Sequence, residues 1–371
     1  MSSKRQIVVG GVPIGGGAPV SVQSMTVTKT HDADATLAEI GRLRDAGVDL
    51  VRVAVPGIPD ADALPRIVAQ AGLPVVADIH FNASLALRAM DAGVAAVRIN
   101  PGNIGGPERV EQVVRRAQET STPMRIGANS GSLPEHLRPA DTADPSGALV
   151  AAALEEVELL EALGFRDYKI SVKSSSVPVM IEAYRRLSRE VDAPLHLGVT
   201  EAGLPGAGTV KSAVGIGTLL AEGIGDTIRV SLTADPVEEV RAGIAILKAL
   251  GLRHDGPELI ACPSCGRTNV EVHELAGEVE RRLGGYREVF EVAVMGCAVN
   301  GPGEAGDADF GIAGGRDAGF IYAHGEVLRK VPQARLVDEL FEEIDVWIAQ
   351  GMPRPERGRR KRALSLPVVA T

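Results

Sequence analysis

The 371-residue sequence predicts an α/β fold: a (β/α)8 TIM-type barrel followed by a small α+β domain. Three observations predict it. Eight short runs rich in β-branched residues recur over the first two thirds of the chain. Helical patterns, several ending at a glycine, separate them, and strands alternating with helices imply parallel pairing. Beyond about residue 255 that alternation gives way to a different order of strands and helices. Eight units in about 250 residues match the usual size of a closed barrel, which favours closure over an open doubly wound sheet.

Taken in order, IVVGGVPIGGGAPVSV reads as a hairpin ahead of the first barrel strand. Its glycines lack the Lys-Ser/Thr ending of a phosphate-binding loop, so a turn is expected there. The first four barrel strands are expected at VSVQSMT from Val20, LVRVAV from Leu50, PVVADI from Pro74 and AVRINP from Ala96. The other four are MRIGANS from Met124, DYKISVK from Asp167, PLHLGVT from Pro194 and DTIRVSL from Asp226. ATLAEIGRLRDAG, GALVAAALEEVELLEALG and PVEEVRAGIAILKALG carry clear helical patterns. The barrel is assigned to residues 1–255 and the α+β domain to 256–350. The latter should hold a strand at ELIAC, a helix over about 269–283 and a strand at EVFEVAVMG. DFGIAGG, a hairpin at GFIYAHGEVLRKV and a final helix at RLVDELFEEIDVWIAQ follow. Residues 351–371 are Pro-rich and basic, and read as a flexible, solvated tail.

Composition bounds the function. Hydrophobic residues make up 45% of the chain and aromatics only 3%, so the core rests on Ala, Val, Leu and Ile. A net charge of -9 argues against general nucleic-acid affinity. The N-terminal MSSKRQIVVGG has no apolar stretch of signal-peptide length, and no later run is long enough to span a membrane. A cytoplasmic protein is expected. Its 3 cysteines, an odd number, fit reduced thiols better than a disulfide framework.

Five of the expected strands carry a cation within an apolar run: Arg52, Arg98, Arg125, Lys173 and Arg229. Asp78, His80, Asn100, Asn129, Thr200, Glu201 and Ser231 accompany them. An unpaired charge inside a barrel costs several kcal/mol, so each cation needs a partner. Internal pairs such as Arg98 with Asp78 account for one or two, and the nearby acids are too few for all five. Most of these residues sit near strand C-termini, where barrel enzymes build their sites. The excess positive charge therefore suits an anion, and Arg forks match a diphosphate. Lys211 in GTVKSAVGIG either joins this set or is a solvated helix residue. GIGTLL is only a fragment of a dinucleotide fingerprint and follows no strand, so no flavin or nicotinamide is expected.

The cysteines all fall in the second domain. Cys262 and Cys265 form a C-x-x-C pair in ACPSCGRTNV, and Cys297 lies downstream in VMGCAVNGPGEA. The pair alone is ambiguous between a redox disulfide, zinc and iron–sulfur. His273 could close a Cys3His zinc site. Glu304 instead offers a hard oxygen ligand beside three soft thiolates, which suits a [4Fe–4S] cluster with one labile corner.

CPSCGRT, VMGCAVNGPGEA, VQSMT, VRVAVP, ADIHFN, RINPGNIG and YKISVKSS together closely resemble the 4-hydroxy-3-methylbut-2-enyl diphosphate synthase family, in its short bacterial form. The resemblance runs from about Gln6 to Gln350. It implies a barrel that binds 2-C-methyl-D-erythritol 2,4-cyclodiphosphate and a C-terminal iron–sulfur domain. There a [4Fe–4S] cluster would be held by Cys262, Cys265, Cys297 and Glu304. It also implies a head-to-tail homodimer, in which the barrel mouth of one subunit faces the cluster of the other. Cationic mouth and cluster, in different domains, must meet by hinge closure or across a dimer. Both are expected, with substrate binding closing the gap. Flavodoxin or ferredoxin would supply electrons for a two-electron reductive dehydration. Glu201 is the candidate proton donor and His80 the reserve. Two rival readings remain at this stage: a barrel lyase or aldolase with Lys173 as Schiff base and a structural zinc, and a non-enzymatic iron–sulfur sensor.

Overall fold

The computed structural model describes residues 3–101, 104–268, 270–297, 301–315 and 317–353. The chain divides between Arg253 and His254 into two compact units.

In the first unit, β1 (Gln6–Val9) and β2 (Val12–Gly15) form an antiparallel hairpin. Gly10 and Gly11 turn it at φ +56° and +89°, the left-handed geometry of a two-residue primed turn. Ile7, Val9 and Ile14 pack on Leu50, Val76 and Ala96, so the hairpin plugs the foot of the barrel. Then come β3 (Ser21–Met25), α1 (Ala33–Asp45), β4 (Leu50–Ala54), α2 (Ile58–Gln70), β5 (Val75–Asp78) and α3 (Ala83–Asp91). β6 (Ala96–Arg98), α4 (Pro107–Thr120), β7 (Met124–Ile126), α5 (Arg138–Ala143) and α6 (Pro145–Ala162) follow. The unit ends with β8 (Tyr168–Ile170), α7 (Val177–Glu190), β9 (His196–Leu197), α8 (Ala207–Ala221), β10 (Thr227–Ile228) and α9 (Pro236–Ala249).

β3 to β10 form one parallel 8-stranded sheet in the order β8-β7-β6-β5-β4-β3-β10-β9. A bridge between Ile170 and Leu195 brings β8 against the start of β9, so the ring nearly closes and the expected barrel is present. Its strands lie within the runs expected from the sequence. The helices start and stop for local reasons. The carboxylates of Asp32, Asp144 and Asp235 accept from backbone N–H groups in the first turns of α1, α6 and α9. Gly47, Gly164 and Gly251, all at positive φ, end the same three. Alternation along the strands sends Val51, Val53, Ala77, Val97, Ile126, Ile170, Leu197 and Ile228 outward into the core shared with the helices. Each such Val, Leu or Ile side chain contributes about 1.5–3 kcal/mol by burial.

In the second unit, β11 (Glu258–Ala261), α10 (Val272–Leu283), β12 (Glu291–Met295), β13 (Phe310–Ala313), β14 (Ala318–Ala323), β15 (Glu326–Pro332) and α11 (Leu336–Ala349) occur in that order. The sheet runs β11-β12-β13-β14-β15, parallel across the first three strands and antiparallel across the rest. Val292, Val294, Phe310 and Ile312 face α10 and α11. The alternate residues Ala293, Met295 and Ala313 pack instead against Ala305 and Ala308. The helix expected from about residue 269 begins only at Val272. Thr268 is spent upstream, where its hydroxyl accepts from Cys265 N at 3.0 Å and turns the chain into the cysteine loop. Of the basic tail, residues 354–371 lie outside the described residues.

Candidate active site

The strand positions opposite to the outward apolar ones point into the barrel. Arg52, Asp78, Arg98, Arg125 and Lys173 are all buried there. Asp78 is the hub: its Oδ2 lies 3.7 Å from Arg52 Nε, and its Oδ1 lies 3.3 Å from Arg98 Nη1. His80 joins them, with Nε2 at 2.7 Å from Arg98 Nη1 and 3.4 Å from Asp78 Oδ1. Burial pushes the Asp78 carboxyl up, but Arg52, His80 and Arg98 together hold it well below the usual carboxylate range. Arg52 also sets its guanidinium on Met25 Sδ, at 3.0 Å and 3.2 Å. Burial lowers Arg52 to about 10 despite Asp78.

Arg229 finds a carboxylate that the strands do not supply: Glu239 of α9, at 3.6 Å. Glu239 is buried, accepts from Leu232 N at 2.9 Å and lies 3.4 Å from Ser24 Oγ. Three of the five cations expected from the sequence are thus paired, one more than internal pairing on the strands accounted for. Arg125 and Lys173 have no carboxylate within 4.0 Å among the described residues. Arg125 Nε and Nη2 donate instead to Ser171 Oγ at 3.1 Å and 2.6 Å. Burial first, and then the surrounding cations, lower both Arg125 and Lys173 well below their ordinary values. The interior therefore carries more positive than negative charge, and an anion at the mouth would relieve it.

The remaining expected residues lie around this set. Asn129 pairs with Lys173 in an isolated parallel bridge. Gly198 passes beneath Lys173: a Cβ there would stand 2.7 Å from Lys173 Nζ and 2.6 Å from the Arg229 carbonyl oxygen. Ser231 and Thr200 are half-buried just past β10 and β9. Glu201 is exposed and takes φ +52°, a left-handed conformation uncommon for glutamate and of the kind that clusters at functional sites. Lys211 is exposed on α8 and makes no ion pair with a described residue. GIGTLL lies wholly within α8, where Gly215 lets the helix approach Val199.

Asn100 lines a cavity of about 610 Å³ with Ala128, Leu133, His136, Glu155 and Glu156. Glu156 on α6 accepts from Gly127 N at 2.7 Å, and burial pushes its carboxyl up to about 7. Because the folded value is raised from about 4.5, folding favours the protonated form. Its destabilising effect is absent at low pH and grows as pH rises from about 4.5 to 7. Glu156→Gln should keep the hydrogen bond and flatten this part of the Tm-against-pH profile. An unchanged profile would show that Glu156 titrates normally.

Sequence reading passed over two interior residues, Lys169 and His196, and the helix residue Glu239. Lys169 was legible: it lies four positions before Lys173, an even spacing that puts both on one face of a strand. Glu239 carries no such signal, because only the packing of α9 on β3 brings it to Arg229.

In the second unit, Cys262 follows β11 directly and its N–H donates to Val294 O on β12 at 2.9 Å. Cys297 is buried two residues past β12. The C-x-x-C loop is drawn toward it: a Cβ on Gly296 would meet Thr268 Cγ2 at 2.9 Å and Val272 Cγ2 at 2.5 Å. Glu304 lies in a single π-helical turn, Gly301–Ala305. That turn rests on β13, where a Cβ on Gly311 would stand 2.7 Å from Ala305 Cβ. Cys262 packs against the same cluster as Ala305. Cys262 and Cys297 thereby lie just past the C-terminal ends of β11 and β12, and the turn that carries Glu304 precedes β13. The exposed Cys265 thiol is lowered from its ordinary value, first by the Arg267 backbone N–H, which favours the metal-binding thiolate. Among the described residues, no three His, Cys, Asp or Glu side chains converge as a single metal ion requires. His273 is exposed at the start of α10.

Fold and site define a two-unit TIM-barrel enzyme, with a cation-lined barrel followed by a cysteine-bearing α+β unit. Residues 4–244 match the GcpE TIM-barrel domain, and residues 258–346 match the GcpE protein C-terminal domain. The chain belongs to the GcpE family, whose curated members are named 4-hydroxy-3-methylbut-2-en-1-yl diphosphate synthase (flavodoxin). The relative so named from Clostridium acetobutylicum is 54% identical over 92% of this chain and 98% of its own. That from Geobacter sulfurreducens is 52% identical over 93% and 98%, and that from Salinispora arenicola 54% over 92% and 88%.

Proposed function

We propose that the chain catalyses the reductive dehydration and ring opening of 2-C-methyl-D-erythritol 2,4-cyclodiphosphate to 4-hydroxy-3-methylbut-2-enyl diphosphate, a step of non-mevalonate isoprenoid synthesis in the cytoplasm. The observation that carries this reading is the pair of buried cations without a carboxylate partner among the described residues, Arg125 and Lys173, in a chain that also bears Cys262, Cys265, Cys297 and Glu304 in its second unit. Arg125 and Lys173 bind the diphosphate. Arg52, Arg98 and Arg229 add donors whose orientation Asp78 and Glu239 hold in advance. Asn100, Asn129 and Ser231 supply neutral hydrogen bonds, and Lys211 an outer positive charge. Glu201 gives a proton to the departing oxygen, with His80 as the reserve donor.

The three cysteines and Glu304 would hold a [4Fe–4S] cluster, which supplies single electrons for cleaving an unactivated carbon–oxygen bond. Thiolate is the form the loop around Cys265 favours, and the carboxylate of Glu304 is the weaker, exchangeable ligand. Flavodoxin is the electron donor, as the names of the relatives indicate. A head-to-tail homodimer completes this reading. No helix among the described residues is long and apolar enough to cross a membrane.

Anaerobic purification followed by Mössbauer and EPR spectroscopy, with and without the cyclodiphosphate, tests the proposal. Iron is expected, with a substrate-dependent change confined to one site. Glu304→Ala should alter that site and lower turnover by at least about tenfold. Zinc in the anaerobically reconstituted protein would overturn the assignment, and unaltered spectra in Glu304→Ala would remove that residue from the ligand set. Borohydride trapping of substrate on Lys173 would point to a lyase instead.

A further inference from the structure

Below the cations at the mouth lies a second polar layer with no part in the chemistry above. Lys169 on β8 and His196 on β9 are wholly buried, and so is Thr227 on β10. The register sets Lys169 beside Arg125 of β7, and Thr227 beside both His196 and Ser21. Lys169 Nζ, both His196 ring nitrogens, Thr227 Oγ1, the Gln23 amide and Arg125 Nη1 have no hydrogen-bond partner among the described residues. A barrel interior is ordinarily filled by Val, Ile and Leu, and a buried amine without a partner is strongly disfavoured in its charged form.

What faces Lys169 is cationic. Arg125 comes from β7 and Arg52 from β4. His196, on the next strand, feels Lys173, Arg125 and Lys169 in turn. The carboxylates around the barrel are committed elsewhere. Asp78 is held by Arg52 and Arg98, and Glu239 by Leu232 N and Arg229. Glu156 accepts from Gly127 N, and Asp226 from Ser3 and Leu195 N. The hydroxyls of Tyr168 and Tyr184 donate to Glu161 and to the His196 carbonyl.

We propose that Lys169 is a proton-accepting positioning residue: when the diphosphate settles on Arg125, Lys173 and Arg52, Lys169 takes a proton from solvent and its ammonium adds positive charge beneath the anion. This rests on the reading of the mouth as an anion site. Charges interact strongly across such an interior because little water screens them. Burial, with Arg125 and Arg52, places Lys169 at about 7 in the free protein, so much of it is neutral near neutral pH. Burial holds His196 well below its ordinary value, which leaves a neutral ring with a nitrogen free to accept from the new ammonium. An anion raises the Lys169 value, so uptake appears above about pH 7 and affinity falls as pH rises through that window. Below about pH 7 Lys169 is already charged and the uptake disappears.

The test is calorimetric titration at about pH 8 in two buffers of different ionisation enthalpy, using the cyclodiphosphate without reductant and, separately, sulfate. Neither anion titrates in this range, so any proton taken up belongs to the protein. Wild type should take up about half a proton or more per site. Lys169→Met should take up clearly less than wild type, Lys173 remaining able to accept a proton, and bind several-fold more weakly. The loss of a buried amine should leave it folded. If that variant fails to fold, wild type decides: sulfate affinity that is flat between about pH 7 and 9 overturns the proposal. Undiminished uptake in Lys169→Met also overturns it, placing the proton on Lys173 or His80. Sulfate binding with uptake while the cyclodiphosphate fails to bind supports Lys169 and overturns the substrate reading. Binding of both without uptake does the reverse, and binding of neither overturns both.

Discussion

Cys297→Ala is expected to leave the barrel unit folded, prevent an intact cluster from assembling and reduce turnover by at least a factor of about 100. Cys297 is only 6% exposed, and Gly296 before it leaves no room for adjustment against Thr268 and Val272. His273, the alternative ligand, is exposed at the start of α10. The packing cost of the smaller side chain is about 1 kcal/mol, well within the stability of an ordinary domain. Iron content, visible absorption and circular dichroism check the three parts of this expectation. Normal iron content and turnover would reject Cys297 as a ligand.

Gly198→Ala should do the second greatest damage, through the substrate site. The added methyl would stand 2.6 Å from the Arg229 carbonyl oxygen and 2.7 Å from Lys173 Nζ, closer than real Cβ contacts come. The lysine can swing away, but the carbonyl is backbone, and Arg229 N is already bonded to Leu197 O at 3.0 Å. β9 and β10 must spread, at a cost of about 1–3 kcal/mol. Lys173 and Arg229 then lose their common aim. Each charge-assisted hydrogen bond to phosphate is worth about 1.5–3 kcal/mol, so KM should rise at least about tenfold. Iron content should not change. A variant with lowered Tm and wild-type KM would show that Lys173 does not meet the substrate from this position.

The contrast between Lys169 and Glu239 shows why part of the site was legible and part was not. Strands alternate strictly, so a cation in an apolar run such as LVRVAV or AVRINP announces an inward charge from sequence alone. The same rule applied to DYKISVK yields Lys169 beside Lys173. Glu239 sits in PVEEVRAGIAILKALG, where an acid in the first turn of a helix is ordinary and is explained by the helix dipole. Only packing of the helix on the barrel turns it into the counter-charge of Arg229. Helix α10 is the converse case. Its pattern starts at about residue 269, but the hydrogen bond from Cys265 N to the Thr268 hydroxyl turns the chain just upstream and the helix begins only at Val272.

The linear chain by itself determined the eight-fold alternation, the hairpin before it, the change of pattern near residue 255 and the cysteine spacing. These are local properties, set by side-chain period, turn chemistry and capping within a few residues. The tertiary structure alone decided which buried cations are neutralised. Pairing depends on angstrom distances between residues far apart in sequence, and the energy of an ion pair changes steeply over those distances. Arg98 and Arg52 share one carboxylate and Arg229 borrows another from a helix. Arg125 and Lys173 are left without a carboxylate among the described residues, and that surplus charge gives the barrel its need for an anion.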